Sequence, residues 1–166
     1  MFPVGTNTQT GRILVAIDGE PHTDAAVKWA LDLARDRDLE AVAIHVKDPY
    51  LKQFSNEIYA QGREEYLDHV EVCLDAKAKE AIDEFGKAAD MAGIKWNART
   101  VCGNPKKAIE KEVSLNEYRA LVTGRRLRKG LAALRYPALP SLLLSASLEL
   151  PILVVPSCGE KSRAME

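Results

Sequence analysis

The stretch 12-RILVAIDGEPHTDAAVKWALDLA-34 decides the fold. Its first part, Ile13 to Ile17, is a short apolar run with no polar alternate residue. That is the pattern of a strand buried on both faces, as in a parallel sheet, rather than on one. Asp18 closes the run, Gly19 and Pro21 break it, and Thr23 is expected to cap a helix directly after it. Ala26, Val27, Ala30, Leu31 and Ala34 then recur at helical spacing. A doubly buried strand leading into an amphipathic helix is the first half of a crossover unit.

The same alternation continues outward. Residues 40-EAVAIHV-46 form a second strand, closed by Asp48-Pro49. Leu67, Val70, Leu74, Ala78, Ala81, Phe85, Ala88 and Ala92 make one stripe along a long helix that Gly93 ends. Residues 94-IKWNARTV-101 alternate as a strand, Gly103-Asn104-Pro105 turns, and Ala108–Leu115 is a short helix. Residues 120-ALVTG-124 are a further strand, 139–148 an apolar helical region, and 152-ILVVP-156 the last strand. Strands that alternate with helices need crossover connections. The expected fold is therefore α/β, an open doubly wound parallel sheet with helices on both faces. One domain spans residues 11–156, between a flexible N-terminal tail of residues 1–10 and a flexible C-terminal tail of residues 157–166.

The bulk properties agree. A chain of 166 residues buries on the order of 70% of its unfolded surface as one domain. The 46% apolar and 28% charged fractions are those of a globular protein, and a net charge of -1 argues against a general nucleic-acid binder. Charge is uneven, however: Glu57–Ala92 is acidic, while Arg125–Arg135 holds five basic residues and no acid. Cys73, Cys102 and Cys158 are odd in number and far apart, which fits a reducing cytoplasm and neither a disulfide framework nor a zinc site. The opening MFPVGTNTQTGR has no signal-peptide pattern, and Leu139–Pro156 is interrupted by Pro140, Glu149 and Pro151, so no membrane span is expected.

In an open parallel sheet, ligands bind outside the carboxyl ends of the strands. The candidates are thus Asp18-Gly19, Val46-Lys47, Val101-Cys102-Gly103 and the loop from Gly124 to Gly130. Asp18 either bonds a ribose or adenine or caps its own turn. The loop offers converging backbone amides at Gly124 and Gly130 and the side chains of Arg125, Arg126, Arg128 and Lys129. It is either a phosphate cradle or a solvated basic loop. No catalytic set stands out. His22, His45 and His69 are scattered, and His45, inside an apolar strand, is expected to be a hydrogen-bonded core residue. There is no G-x-S-x-G elbow, no G-x-x-x-x-G-K-[ST] and no G-x-G-x-x-G after the first strand.

Taken together, 13-ILVAIDGEPHTDAAVKWALDLA-34, 44-IHVKDP-49, 103-GNPKKAI-109, 122-VTGRRLRKGLAAL-134 and 151-PILVVP-156 resemble the universal stress protein family from about Arg12 to Pro156. The resemblance implies five strands, a Rossmann-like sheet of the adenine nucleotide α-hydrolase kind. It also implies a cytoplasmic stress-response protein and a homodimer paired through Ile152, Leu153, Val154 and Val155. Some members bind ATP, AMP or another adenine nucleotide, with Mg2+. Carried over, their nucleotide contacts fall on Asp18, Val46 and a loop of pattern G-x-x-G-(nine residues)-G-[ST]. Here that loop starts at Gly124 but has Leu127 and Pro137 at its other glycine positions and Ala138 for the hydroxyl. Pro137 has no N–H and Ala138 no hydroxyl to give a phosphate.

Three functions are in play. One is a non-catalytic dimer with a degraded triphosphate loop, acting through protein partners. Another is an adenine-nucleotide-responsive regulator using Asp18, Val46 and the basic loop. The third, an ATP pyrophosphatase-like enzyme, wants an S-G-G-x-D-S loop where this chain has 18-DGEPHT-23.

Overall fold

The computed structural model describes residues 11–48, 63–125 and 138–157, with residues 63–67 as backbone only. Five strands form one parallel sheet: β1 (Arg12–Ile17), β2 (Glu40–Lys47), β3 (Trp96–Cys102), β4 (Ala120–Arg125) and β5 (Ile152–Pro156). Their order is β3-β2-β1-β4-β5. The helices are α1 (Asp24–Arg37), α2 (Arg63–Met91), α3 (Pro105–Leu115) and α4 (Leu139–Leu144).

The double burial of β1 follows from its sequence. Ile13, Val15 and Ile17 pack on one face with Ala26, Ala30 and Ala34 of α1 and Ala81, Phe85 and Ala89 of α2. Leu14 and Ala16 pack on the other with Ile109 of α3 and Leu143 of α4. Ile13, Leu14, Val15, Val122 and Leu121 are wholly buried, each contributing about 1.5–3 kcal/mol. From β1 the chain steps outward to β2 and β3 through α1 and α2. It then returns to the far side of β1 and steps to β4 and β5 through α3 and α4. Reversing the direction of travel moves the crossovers to the opposite face, as their common handedness requires.

α2 seats closely on the sheet. A Cβ at Gly86 would run into the Trp96 ring, so only glycine lets the helix lie against it. Phe85 meets the same ring edge-on at 6.1 Å, and the Trp96 indole N–H donates to Asp90 Oδ1 at 2.8 Å. Gly93, at φ +69, follows the end of α2, as expected.

Two local expectations need correction. Thr23 does not cap α1: its backbone is already helical, because a 3-10 turn (Pro21–Thr23) runs straight into the helix. Its hydroxyl donates instead to the Glu20 carbonyl at 2.8 Å. α4 stops at Leu144 rather than running to residue 148. There the Ser145 hydroxyl turns back to the Ser141 carbonyl at 2.9 Å, a bond that competes with helix continuation. Asn104, by contrast, caps α3 by accepting from the Lys107 N–H. The expected tails, residues 1–10 and nearly all of 157–166, lie outside the described residues.

Candidate functional site

The order β3-β2-β1-β4-β5 reverses between β1 and β4, and the crevice outside their carboxyl ends is the position at which open parallel sheets bind ligands. A cavity of about 140 Å3 lies there. Asp18 and His22 come from the loop after β1, Thr123 and Gly124 from β4, and Ala138 and Pro140 from the approach to α4.

Asp18 ends β1 with its side chain 46% exposed, and both its oxygens have partners within its own loop. Oδ1 accepts the Glu20 N–H at 2.9 Å, and Oδ2 lies 3.0 Å from His22 Nε2. The turn-capping role is therefore present in the molecule. A carboxylate has about four lone-pair positions, so Asp18 keeps acceptor capacity toward the crevice. Gly124 fits because it has no side chain: a Cβ there would sit 2.8 Å from the His22 carbonyl oxygen and 3.3 Å from Thr23 Cα. β4 thus abuts the 3-10 turn by backbone. Drug-sized pockets hold roughly 300–1,000 Å3, so the described walls enclose room for one part of a nucleotide.

The other sequence candidates are spread along the same edge of the sheet. Gly19 turns toward α2, where a Cβ would meet that of Ala81 at 3.1 Å. Val46 is half-buried against the core on the α3 side. The Gly103 N–H donates to the Lys47 carbonyl at 2.9 Å, closing β3 against β2. Arg125 is exposed at the last position of β4, opposite Pro156. Lys47 and Lys77 tie the edge to α2 through Asp75, at 2.6 Å, and Glu20. Arg126, Arg128, Lys129 and Gly130, with Leu127 and Pro137, lie outside the described residues.

Sequence reasoning passed over His22 as a site residue. Its signal was the spacing Asp18-x-x-x-His22 directly after a buried strand, which an acid-imidazole pair can use once the turn brings the two together. His45 is the core residue expected: it is 5% exposed and its Nδ1–H donates to the Ile17 carbonyl at 3.1 Å. Burial lowers its pKa against the opposing effects of that bond and of Asp18, so the neutral ring is favoured. Among the described residues no three His, Cys, Asp or Glu side chains gather to hold a metal, and no helix is long and apolar enough to cross a membrane.

Comparison with solved structures gives the same architecture. Universal stress protein UspA from Lactobacillus plantarum is 19% identical, covering 90% of this chain and 99% of its own, with a TM-score of 0.66. A universal stress protein family protein from Arabidopsis thaliana, with AMP bound, is 20% identical over 93% of this chain and 96% of its own, also at 0.66. A universal stress protein in complex with cAMP is 18% identical over 89% and 98%, at 0.61. No curated protein matches the chain. The model of the universal stress protein family matches residues 9–155, nearly the whole length, and with the switch-point crevice in place this chain belongs to that family.

Proposed function

We propose that this chain is a non-catalytic, cytoplasmic and dimeric stress-response protein that works through protein contacts and holds ATP weakly or not at all. The observation that carries this reading is the crevice. Its acid is engaged by its own loop, and Ala138 on its wall stands where the resemblance to the family places a hydroxyl. The sequence departures at Leu127 and Pro137 support the same conclusion. Losing two or three phosphate hydrogen bonds at about 1.5–3 kcal/mol each weakens binding by orders of magnitude.

A second reading is an adenine-nucleotide-responsive regulator, with Mg2+ accompanying ATP. It is favoured by the family members solved with AMP and cAMP and by the lone pairs that Asp18 keeps at the crevice. A thermal-shift series with Mg-ATP, AMP and cyclic AMP at millimolar concentration separates the two. The first reading expects no rise in Tm with Mg-ATP. Ligand at one hundred times its Kd adds about 2.7 kcal/mol, so a clear rise that Asp18→Asn removes would replace the first reading by the second.

Dimerisation is the other half of the proposal. β5 is the outermost strand on its side and bonds to β4 alone among the described strands. Leu153 is 37% exposed and Val154 half-buried, whereas Val155 is buried beneath α1 and Ile152 packs on the α3 side. An unpaired apolar edge of this kind needs a cover, and a second copy supplies one. Leu153→Lys is expected to turn a dimer into a monomer by light scattering. A dimer unchanged by the substitution rejects this interface.

A further inference from the structure

On the face of the sheet that carries α1 and α2, a trench of about 470 Å3 runs between the two helices. Val27 and Leu31 of α1 and Ala81, Phe85, Ala88 and Met91 of α2 line it. Three of the lining residues, at 81, 88 and 92, are alanines, whose side chains end at Cβ. Phe85 and Leu31 form a closed floor at 2% and 5% exposure, while Met91 at one end is 90% exposed. Ala81 sits over Gly19 at the other end.

The rim is acidic. Asp24 and Asp32 of α1 and Glu84 of α2 border the trench against a single cation, Lys28. Asp32 is paired with Arg35 at 2.7 Å, but among the described residues Asp24 and Glu84 have no ion-pair partner. Asp24 opens α1 and Glu84 stands one turn beyond Ala81, so both belong to the Gly19 end.

Length and charge choose the occupant. The lining positions of α2 run from Ala81 to Met91, a rise of about 15 Å, long enough for an extended alkyl chain or a flat ring system. We propose that the trench binds a slender apolar molecule bearing one cationic group, its body along Val27, Leu31, Phe85 and Ala88 and its cation between Asp24 and Glu84. Apolar walls supply the affinity, and two unpaired carboxylates at one end set the charge and the orientation. Ile17 and Thr23 line both the trench and the crevice between β1 and β4, but the rest of the trench lining is its own and requires no nucleotide.

The test titrates the full-length protein, by calorimetry, with decyltrimethylammonium, decanoate and decyl maltoside, each below its micelle concentration. The cationic probe is expected to bind about tenfold tighter than the anionic one. Asp24→Asn/Glu84→Gln should remove that preference while leaving apolar binding in place. Ala88→Trp, or Ala92→Leu should the tryptophan variant fold poorly, fills the trench and is expected to abolish binding of all three. Equal affinity for the three probes rejects the charge assignment. Binding that survives the filled trench, or no binding by any probe, rejects the site.

Discussion

Glu112→Ala is expected to lower the unfolding free energy by about 3 kcal/mol, read from the midpoint of urea denaturation. The Glu112 side chain is 10% exposed on α3, and its Oε1 is a shared acceptor. The Tyr118 hydroxyl donates to it at 2.6 Å, the Asn116 amide at 3.1 Å and the Arg99 Nε–H at 2.8 Å. Truncation leaves the part-buried Tyr118 hydroxyl facing a hole at about 1–3 kcal/mol, and the lost γ-methylene adds about 0.8 kcal/mol, while Asn116 keeps its second bond to the Glu112 carbonyl at 3.3 Å. Arg99, 42% exposed, turns to water and adds little. Glu112→Gln keeps an acceptor and should cost about 1 kcal/mol. The same cluster predicts a loss of stability in alkali. Burial, then the bond to Glu112, pushes the Tyr118 pKa up to about 12, above the ordinary value of about 10. Between those values the unfolded chain binds fewer protons than the folded one. The contribution is thus complete below pH 10 and is lost as pH rises toward 12, by up to about 2 kcal/mol. Tyr118→Phe should flatten that part of the profile. An Ala variant as stable as wild type, or a Phe variant with an unchanged alkaline slope, would mean the cluster contributes nothing.

Gly124→Val is the second large effect, a loss of about 2–3 kcal/mol from overpacking. The new Cβ would arrive 2.8 Å from the His22 carbonyl oxygen and 3.3 Å from Thr23 Cα, both backbone atoms that no rotamer change can move. β4 cannot retreat, because it is bonded to β1 on one side and β5 on the other. The 3-10 turn is held in its turn by the Asp18 carboxylate and the Thr23 hydroxyl. Gly124→Ala should cost less than Val but still measurably, since the clash lies at Cβ. Wild-type stability in both variants would show that the turn yields and that the crevice has no fixed width.

The layers of this fold were legible because they depend on local periodicity. The unbroken apolar run at 13–17 states double burial, and the structure places its odd and even residues in opposite cores. The order of the strands is not a local property: the resemblance to a family gave their number, and the order β3-β2-β1-β4-β5 came from the structure. At the site, the rule about strand ends found Asp18 and Gly124, which the crevice does bring together. It could not reveal that Glu20 and His22 occupy both oxygens of Asp18, because that depends on how Pro21–Thr23 coils in space. Glu112 was invisible for a related reason. A glutamate on a short amphipathic helix reads as solvated, and only Arg99 and Tyr118, brought in by other segments, make its burial tolerable.

The seat of α2 on Trp96 also gives the protein two distinct fluorophores. Its two tryptophans are Trp29, 60% exposed on α1, and Trp96, pressed against Gly86 and anchored to Asp90. Trp29 should emit as an indole in water and be open to soluble quenchers. Trp96 should emit to the blue and resist them for as long as the long helix stays docked. Detachment of α2 from the sheet therefore has its own optical signature, distinct from unfolding of the sheet as a whole.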